Sequence, residues 1–307
     1  MSKIYIGTCG FTEPALNGTF YPSGLDPKER ISWYAKHFNA VEIDSSFYAM
    51  PSERNSLLFA ERTPPDFVFH FKAFGLMTGH PVDVKRLGRA LSAFLPRDFK
   101  AERITDPPRE MLEMAFSMFR SALRPLQRAG KIGAVLFQFP PWFKKSEANE
   151  GRIALCRELM PDYRIAVEFR HRSWTSDEAL ASTLQLLERH DMSYVSVDEP
   201  QISSSVQPIA EVTSSMAYVR FHGRNEKSWA KRGASIAERF NYFYSAEELF
   251  EWIPKVRRLE DRSDEVHLMF NNCFNGYAVR NAREMAELIG ALEDKRPFSW
   301  PLKLDIE

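Results

Sequence analysis

Short apolar runs recur eight times along the chain, and a polar loop and a stretch of helical periodicity follow each of them. The runs are rich in β-branched and aromatic residues, which is typical of strands, whereas apolar residues spaced three and four apart indicate helices. The pattern predicts strands at 3–8, 40–44, 67–72, 133–139, 164–169, 193–198, 216–222 and 266–271. It predicts helices at 26–38, 52–62, 109–129, 147–160, 176–190, 245–260 and 277–291, and a further helix within 81–95.

The alternation of strand and helix predicts a parallel sheet covered by helices. Eight repeats favour closure into a (β/α)8 TIM barrel, an α/β fold, over an open doubly wound sheet. No change of composition divides the chain, so we expect one domain over residues 1–307. No GxGxxG motif follows the first strand, which argues against a dinucleotide-binding fold.

Two connections are longer than the ~2–6 residues usual after a strand of such a fold. They are 73–108, after the third strand, and 223–244, after the seventh. Long loops at these strand ends usually build or cover a site, and the alternative is decoration or an oligomer contact. The oligomeric state itself is left open.

The charge balance and the composition limit the classes of binding partner that we expect. The 307 residues include 41 Lys and Arg against 41 Asp and Glu, so no general attraction to nucleic acid or anionic membrane is expected. No apolar run approaches the ~20 residues of a membrane span, and the start "MSKIYIGTCGF" has no signal-peptide core, so we expect a cytoplasmic protein.

Three scattered cysteines predict neither a disulfide framework nor a metal site. Cys9 and Cys273 follow strands that are neighbours in a closed barrel. They are either a redox pair or two small buried side chains.

Every predicted strand ends in polar residues, and in a barrel these ends converge on one mouth. So many charges on one rim predict a solvated pocket, and the alternative is a dense network of ion pairs. Strand alternation directs Glu42 and Glu168 inward, and we place Asp198 with them. We assign catalytic roles to Glu42, Glu168, Asp198 and His222. We assign substrate contacts to Lys72, Gln138, Arg170, His171, Arg220, Arg224, Asn271 and Asn272.

These residue types suit acid–base chemistry on an anion. A carboxylate beside Arg stays ionised, whereas one beside another carboxylate or an apolar wall has a raised pKa, so such a set supplies both a base and an acid. Arg220 and Arg224 flank Gly223 in a place where barrels often bind phosphate, although Arg220 could instead pair only with Asp198. A metal is possible but not favoured, because the cations of the same mouth would oppose a divalent ion. The cofactor is left open.

The connection 223–244 interleaves basic and aromatic residues, among them Arg224, Lys227, Arg232, Trp229 and Phe240. This mixture is typical of segments that bind phosphates and stack bases, so nucleic acid is a possible partner. A lid whose aromatic residues pack on the barrel is the alternative.

Motifs along nearly the whole chain resemble the domain-of-unknown-function 72 family of (β/α)8 barrels. They are "GTCGF" at 7–11, "FYP" at 20–22, "FNAVEIDSSFYAMP" at 38–51, "GAVLFQFPPWF" at 133–143, "AVEFRHRSW" at 166–174, "YVRFHGR" at 218–224, "FNYFYSAEEL" at 240–249 and "FNNCFNGYAVRNA" at 270–282. Cys9, Phe11 and Asp44 depart from the residues usual in the family, which are Ser, Trp and Asn. The resemblance implies the barrel and a site at its strand ends, and it implies no reaction.

Three hypotheses follow. The first is a hydrolase or lyase that acts on a small anionic or phosphorylated substrate. The second is a nucleic-acid-binding or nuclease-like barrel that uses 223–244. The third is a barrel that binds a ligand without catalysis.

Overall fold

The computed structural model describes residues 2–229, 231 and 233–290, and its centre is a barrel of eight parallel strands. The strands in chain order are β1 (Lys3–Thr8), β2 (Ala40–Ile43), β3 (Val68–Lys72), β4 (Val82–Asp83), β5 (Arg103–Ile104), β6 (Ile132–Gln138), β7 (Ile165–Glu168), β8 (Met192–Asp198), β9 (Met216–Phe221) and β10 (Glu265–Phe270). Hydrogen-bonded neighbours follow the order β1, β10, β9, β8, β7, β6, β3, β2, while β4 and β5 form a separate antiparallel pair. The predicted barrel is confirmed.

The seam between β1 and β2 is held largely by side chains. Asn39 accepts a hydrogen bond from the Ile6 amide at 2.7 Å and donates one to the Ile4 carbonyl at 2.9 Å. Further up, the Gly10 amide donates to the Glu42 carbonyl at 2.8 Å. Because buried backbone groups need partners, the Asn39 amide replaces the missing ladder bonds and brings the barrel close to full closure.

Gly7 makes this close approach possible. A Cβ atom at this position would lie 1.9 Å from the Ala40 carbonyl oxygen, so β1 lies against β2 only because residue 7 has no side chain. Tyr34 completes the contact, since its hydroxyl accepts from the Thr8 amide at 2.8 Å.

Twelve α-helices lie within the described residues, and most of them cover the barrel. They are α1 (Arg30–Tyr34), α2 (Ser45–Tyr48), α3 (Glu53–Glu61), α4 (Gly88–Ser92), α5 (Arg109–Arg128), α6 (Glu147–Leu159), α7 (Asp177–Arg189), α8 (Glu226–Trp229), α9 (Ile236–Arg239), α10 (Ala246–Phe250), α11 (Ile253–Glu260) and α12 (Tyr277–Ile289). Ser245 and Glu248 form a capping box at the start of α10.

Two predicted helices differ from the structure, whereas the helix predicted within 81–95 is the five-residue α4, which follows β4 and a 3-10 turn. The predicted helix 245–260 is divided into α10 and α11, with Pro254 in the first turn of α11, where its missing N–H group removes no helical hydrogen bond. The first predicted helix is shortened because Pro27 opens a 3-10 turn before α1. Residue 291, the end predicted for the last helix, lies outside the described residues.

The lower interior of the barrel is aromatic and polar. His267 stacks on Tyr5 with ring centroids 4.6 Å apart, and its Nδ1 lies 3.0 Å from Nε2 of His70. Its Nε2 faces Glu265 at 3.2 Å, and Glu265 forms an ion pair with Arg164. Burial lowers the pKa of both histidines, so this layer is a neutral hydrogen-bonded chain that ends in a charged pair.

Within the described part of the chain, no helix is long and apolar enough to cross a membrane.

Candidate functional site

Arg220 lies at the centre of a fully buried network near the carboxyl ends of the strands. Its Nη2 is 2.5 Å from Glu42, and its Nη1 is 2.6 Å from Glu168 and 3.1 Å from the Gln138 amide oxygen. Tyr218, two residues earlier on β9, donates its hydroxyl to the second oxygen of Glu42 at 2.7 Å. The inward direction predicted for Glu42 and Glu168 is therefore what the strands produce, and Arg220 faces inward with them.

His222 extends the network. The Asn271 amide donates to Nδ1 of His222 at 2.8 Å, which leaves Nε2 to donate to Glu168 at 3.1 Å. Burial first, and then the charge of Arg170, lower the pKa of His222 to about 3, which agrees with a neutral ring protonated at Nε2. Asn271 and Glu168 thus fix the tautomer of this histidine.

Arg170 connects the network to a further carboxylate. It contacts Glu168 at 2.6 Å and Glu199 at 2.5 Å. Burial alone would raise the pKa of Glu168, but Arg170, Arg220 and His222 hold it well below the usual range. Glu168 is therefore a permanently ionised group that anchors two arginines.

The pKa of Glu42 is shifted in the opposite direction to that of Glu168. Burial raises its pKa to about 7, and the neighbouring Asp44 carboxylate adds to this effect while Arg220 opposes it. Asp44 responds in the other direction, since Lys72 and Arg220 lower its pKa despite burial. Two neighbouring carboxylates whose pKa values are driven apart can store and release one proton.

A cavity of about 1000 Å³ opens above this network. Its charged lining consists of three cations and three carboxylates, which are Lys72, Arg170, Arg239, Glu13, Asp44 and Glu199. Its aromatic lining consists of Phe11, Phe47, Tyr48, Phe59, His80, Trp229 and Phe240, and Gln138, Asn271, Cys9 and Cys273 also line it. The fully buried Glu42, Glu168, Arg220 and His222 lie below these lining residues.

The connection after β9 covers one side of the cavity. The rings of Trp229 and Phe240 lie 6.1 and 6.0 Å from the His222 ring, and Arg170 lies over Trp229 at 5.3 Å. These aromatic side chains face the barrel mouth, as a lid requires. Ala230 and Arg232 of the same connection lie outside the described residues.

Four residues assigned to the site lie elsewhere. Asp198 does not face the interior: Arg224 binds it through two nitrogens at 3.0 and 2.8 Å, and Trp252 and Tyr244 donate to it at 2.7 and 2.8 Å. The reason is strand alternation, because Glu199 takes the inward place at the end of β8. The same contact takes Arg224 away from the cavity.

His171 and Asn272 also have structural contacts. His171 accepts from the Ser173 amide at 3.1 Å and begins a 3-10 turn. Asn272 donates to the Tyr242 carbonyl at 2.9 Å and to Asn281 at 2.8 Å. Both follow the last strand residue, where alternation no longer predicts direction.

Sequence reasoning gave no site role to Asp44, Glu199 or Tyr218. The signal was available for Asp44, which lies two residues after Glu42, and for Tyr218, which lies two residues before Arg220. Residues two apart on a strand share a face.

Two further groups bear on chemistry. Ligand atoms of Cys9, Glu42 and Asp44 lie within 4.8 Å of one another, a spacing that a metal ion could use. The Arg220 guanidinium already lies 3.5 Å from Cys9 and 3.6 Å from Asp44, so a cation is present in this place. The Cys273 thiol donates to the Cys9 carbonyl at 3.2 Å, and burial raises the pKa of both thiols, which opposes thiolate chemistry.

A nearly closed parallel barrel with a polar cavity at the carboxyl ends of its strands defines the chain as a TIM barrel. It belongs to the family described as Protein of unknown function DUF72, whose model matches residues 5–301. It is 33% identical to the UPF0759 protein YunF of Bacillus subtilis over 291 residues, which cover 93% of this chain and 94% of that protein. A solved DUF72 family protein of Thermotoga maritima is 31% identical, with a TM-score of 0.75 over 94% of this chain and 99% of that chain. A DUF72 family protein of Enterococcus faecalis, 24% identical with a TM-score of 0.74 over 94% of this chain and 98% of its own, has the same fold.

Proposed function

We propose that the protein is an enzyme, a hydrolase or lyase that performs metal-independent acid–base chemistry on a small anionic substrate in the barrel mouth. The observation that carries this proposal is the Glu42–Asp44 pair. Its two pKa values are shifted in opposite directions at the floor of a cavity lined by cations. Pairs of titratable groups with separated pKa values are typical of acid–base sites.

Asp44 is the member of the pair that meets the substrate, because it lines the cavity and Glu42 lies beneath it. Glu42, with a pKa raised to about 7, carries the shared proton below neutral pH and releases it as the pH rises, and Arg220 and Tyr218 fix its orientation. Glu168 and His222, which were predicted among the catalytic residues, become positioning residues. Glu168 holds Arg170 and Arg220 by ion pairs, and His222 donates a hydrogen bond to Glu168.

Arg170, Lys72 and Arg239 supply the positive charge for an anionic group. Gln138 and Asn271 line the same cavity and offer neutral hydrogen bonds. The three lining cations balance the three lining carboxylates, so a substrate with one anionic group and one neutral reacting group suits the cavity.

The two alternatives are less favoured. The rings of Trp229 and Phe240 face His222, so they wall a cavity and do not form an open stacking surface for nucleic acid. A barrel that only binds a ligand has no need of a carboxyl group with a raised pKa beside an ionised one.

The proposal is tested by incubating the protein with a panel of sugar phosphates and small hydroxy and oxo acids and following consumption by proton NMR. We expect one compound or chemical class to be consumed and Asp44→Asn to lower the rate about 10²–10⁴-fold, the usual contribution of a general acid or base. The matched control Glu226→Gln changes an exposed residue of the lid and leaves the rate unchanged. An equal rate in Asp44→Asn would remove the assignment.

A further inference from the structure

We propose that the side-chain amine of Lys72 forms a Schiff base with a small aldehyde or ketone that carries a carboxylate or phosphate. The inference deepens the proposed function and rests on it, because it names the reacting group of the substrate as a carbonyl. It also gives Lys72 a role beyond binding charge.

The position of Lys72 is the first argument. It is the last residue of β3 and lines the cavity, with Gln138 and then Arg170 at the ends of the next strands around the barrel. A carbonyl carbon at Lys72 therefore leaves an anionic group on the same molecule within the part of the cavity that Arg170 lines.

The second argument is that Lys72 has no fixed partner. Among the described residues its side-chain nitrogen has no hydrogen bond and no ion pair within 4.0 Å, whereas Arg170 has two carboxylates. The Lys72 nitrogen instead lies 4.7 Å from the Phe47 ring centroid. An ammonium placed only to complete a structural network would contact a carboxylate directly, as Arg170 and Arg220 do.

The surroundings favour the neutral amine. Burial lowers the pKa of Lys72, and Arg220 adds to this, while Asp44 opposes it without reversing the direction. A lysine in a partly apolar pocket beside another cation is the usual form of a nucleophilic amine.

Asp44 stands beside Lys72 at the end of the adjacent strand, since Ile43 of β2 pairs with Phe71 of β3. The amine attacks the carbonyl carbon to form a C–N bond, and the carbonyl oxygen takes a proton from the Glu42–Asp44 pair to give a carbinolamine. The nitrogen then returns a proton to the pair, and the pair passes this proton to the hydroxyl, which leaves as water. The iminium nitrogen gives its remaining proton back to the pair. The net change is amine plus carbonyl to imine plus water, without an oxidant or reductant.

The test is reductive trapping on the unmodified protein. Glyoxylate and glycolaldehyde phosphate are added separately with sodium cyanoborohydride at about pH 7, and adducts are located by mass spectrometry of peptides. We expect one adduct per chain at Lys72, formed faster than at the exposed Lys85, because a lowered pKa leaves more of the amine unprotonated at this pH. Glycolaldehyde, which lacks the anionic group, reacts more slowly at Lys72.

Arg170→Met is expected to slow labelling at Lys72, and Lys85→Arg is the matched control that leaves it unchanged. Labelling at Lys72 no faster than at Lys85 would overturn the proposal. Binding of inorganic phosphate, read as a thermal shift that Arg170→Met removes, separates the two proposals. Phosphate binding without a Lys72 adduct rejects the Schiff base alone, and the absence of both results also rejects the anion site.

Discussion

Glu168→Gln is expected to destabilise the fold markedly, because Glu168 is the shared partner of three buried groups. Its carboxylate is 2.6 Å from both Arg170 and Arg220 and 3.1 Å from His222, and its side chain is 0% exposed. Removing one partner of a buried ion pair typically costs about 3–5 kcal/mol. Glu199 and the ionised Asp44 still face the arginines, and the glutamine keeps the shape, so we expect the lower end, about 3 kcal/mol.

Urea unfolding followed by circular dichroism measures this loss at about pH 7, with the exposed Glu188→Gln as control. The pKa of Glu168 is lower in the folded state than in the unfolded state. Its stabilisation is therefore present above the ordinary Glu pKa and is lost as the pH falls, so the difference between the two proteins shrinks in acid. A change as small as that of the control, or one independent of pH, would refute the account of the network.

Two further predictions concern the barrel itself. Gly7→Ala places a methyl group 1.9 Å from the Ala40 carbonyl oxygen and is expected to lower the free energy of unfolding by about 3 kcal/mol or more. Gly151→Ala lies in α6, where the added methyl group has no atom within 4 Å, and it raises the free energy of unfolding by about 0.5–1 kcal/mol. Equal urea midpoints for the two variants would contradict the close contact of β1 and β2. Hydrogen bonding by His267, with further help from Arg164, lowers the pKa of Glu265 to about 2, so its stabilisation is present at neutral pH and lost as the pH falls toward 2. Glu265→Gln should therefore flatten the acid limb of a plot of stability against pH, and an unchanged limb would show that this pair contributes nothing.

The barrel was predictable because every strand is a short buried run and every polar strand end falls at the same edge. Glu42, Glu168, Arg220 and His222 were found by alternation along their strands. Asp198 was misplaced because β8 is buried on both faces and ends in two adjacent acids, so the composition could not show which one faces inward.

Other features depend on tertiary contacts that no local pattern records. Arg224 and Asn272 follow the ends of their strands, and their directions are set by Asp198 and Asn281 on other elements. The raised pKa of Glu42 depends on burial beside Asp44, two residues along the same face. The division between α10 and α11 has a local indication in Pro254, but the strong helical periodicity around this residue predicted one continuous helix.

The central claim is that the pKa of Glu42 is raised to about 7 at the floor of the cavity, so that this carboxyl group is protonated in weak acid and gives up its proton near neutral pH. Infrared difference spectroscopy of the wild type against Glu42→Gln tests this directly, through the absorption of a protonated carboxyl group. We predict a protonated-carboxyl band in the wild type at about pH 6 that fades as the pH rises through about 7. Asp44→Asn should move this loss to lower pH, because it removes the neighbouring negative charge. A difference spectrum with no protonated-carboxyl band at about pH 6 would contradict the proposed acid–base pair.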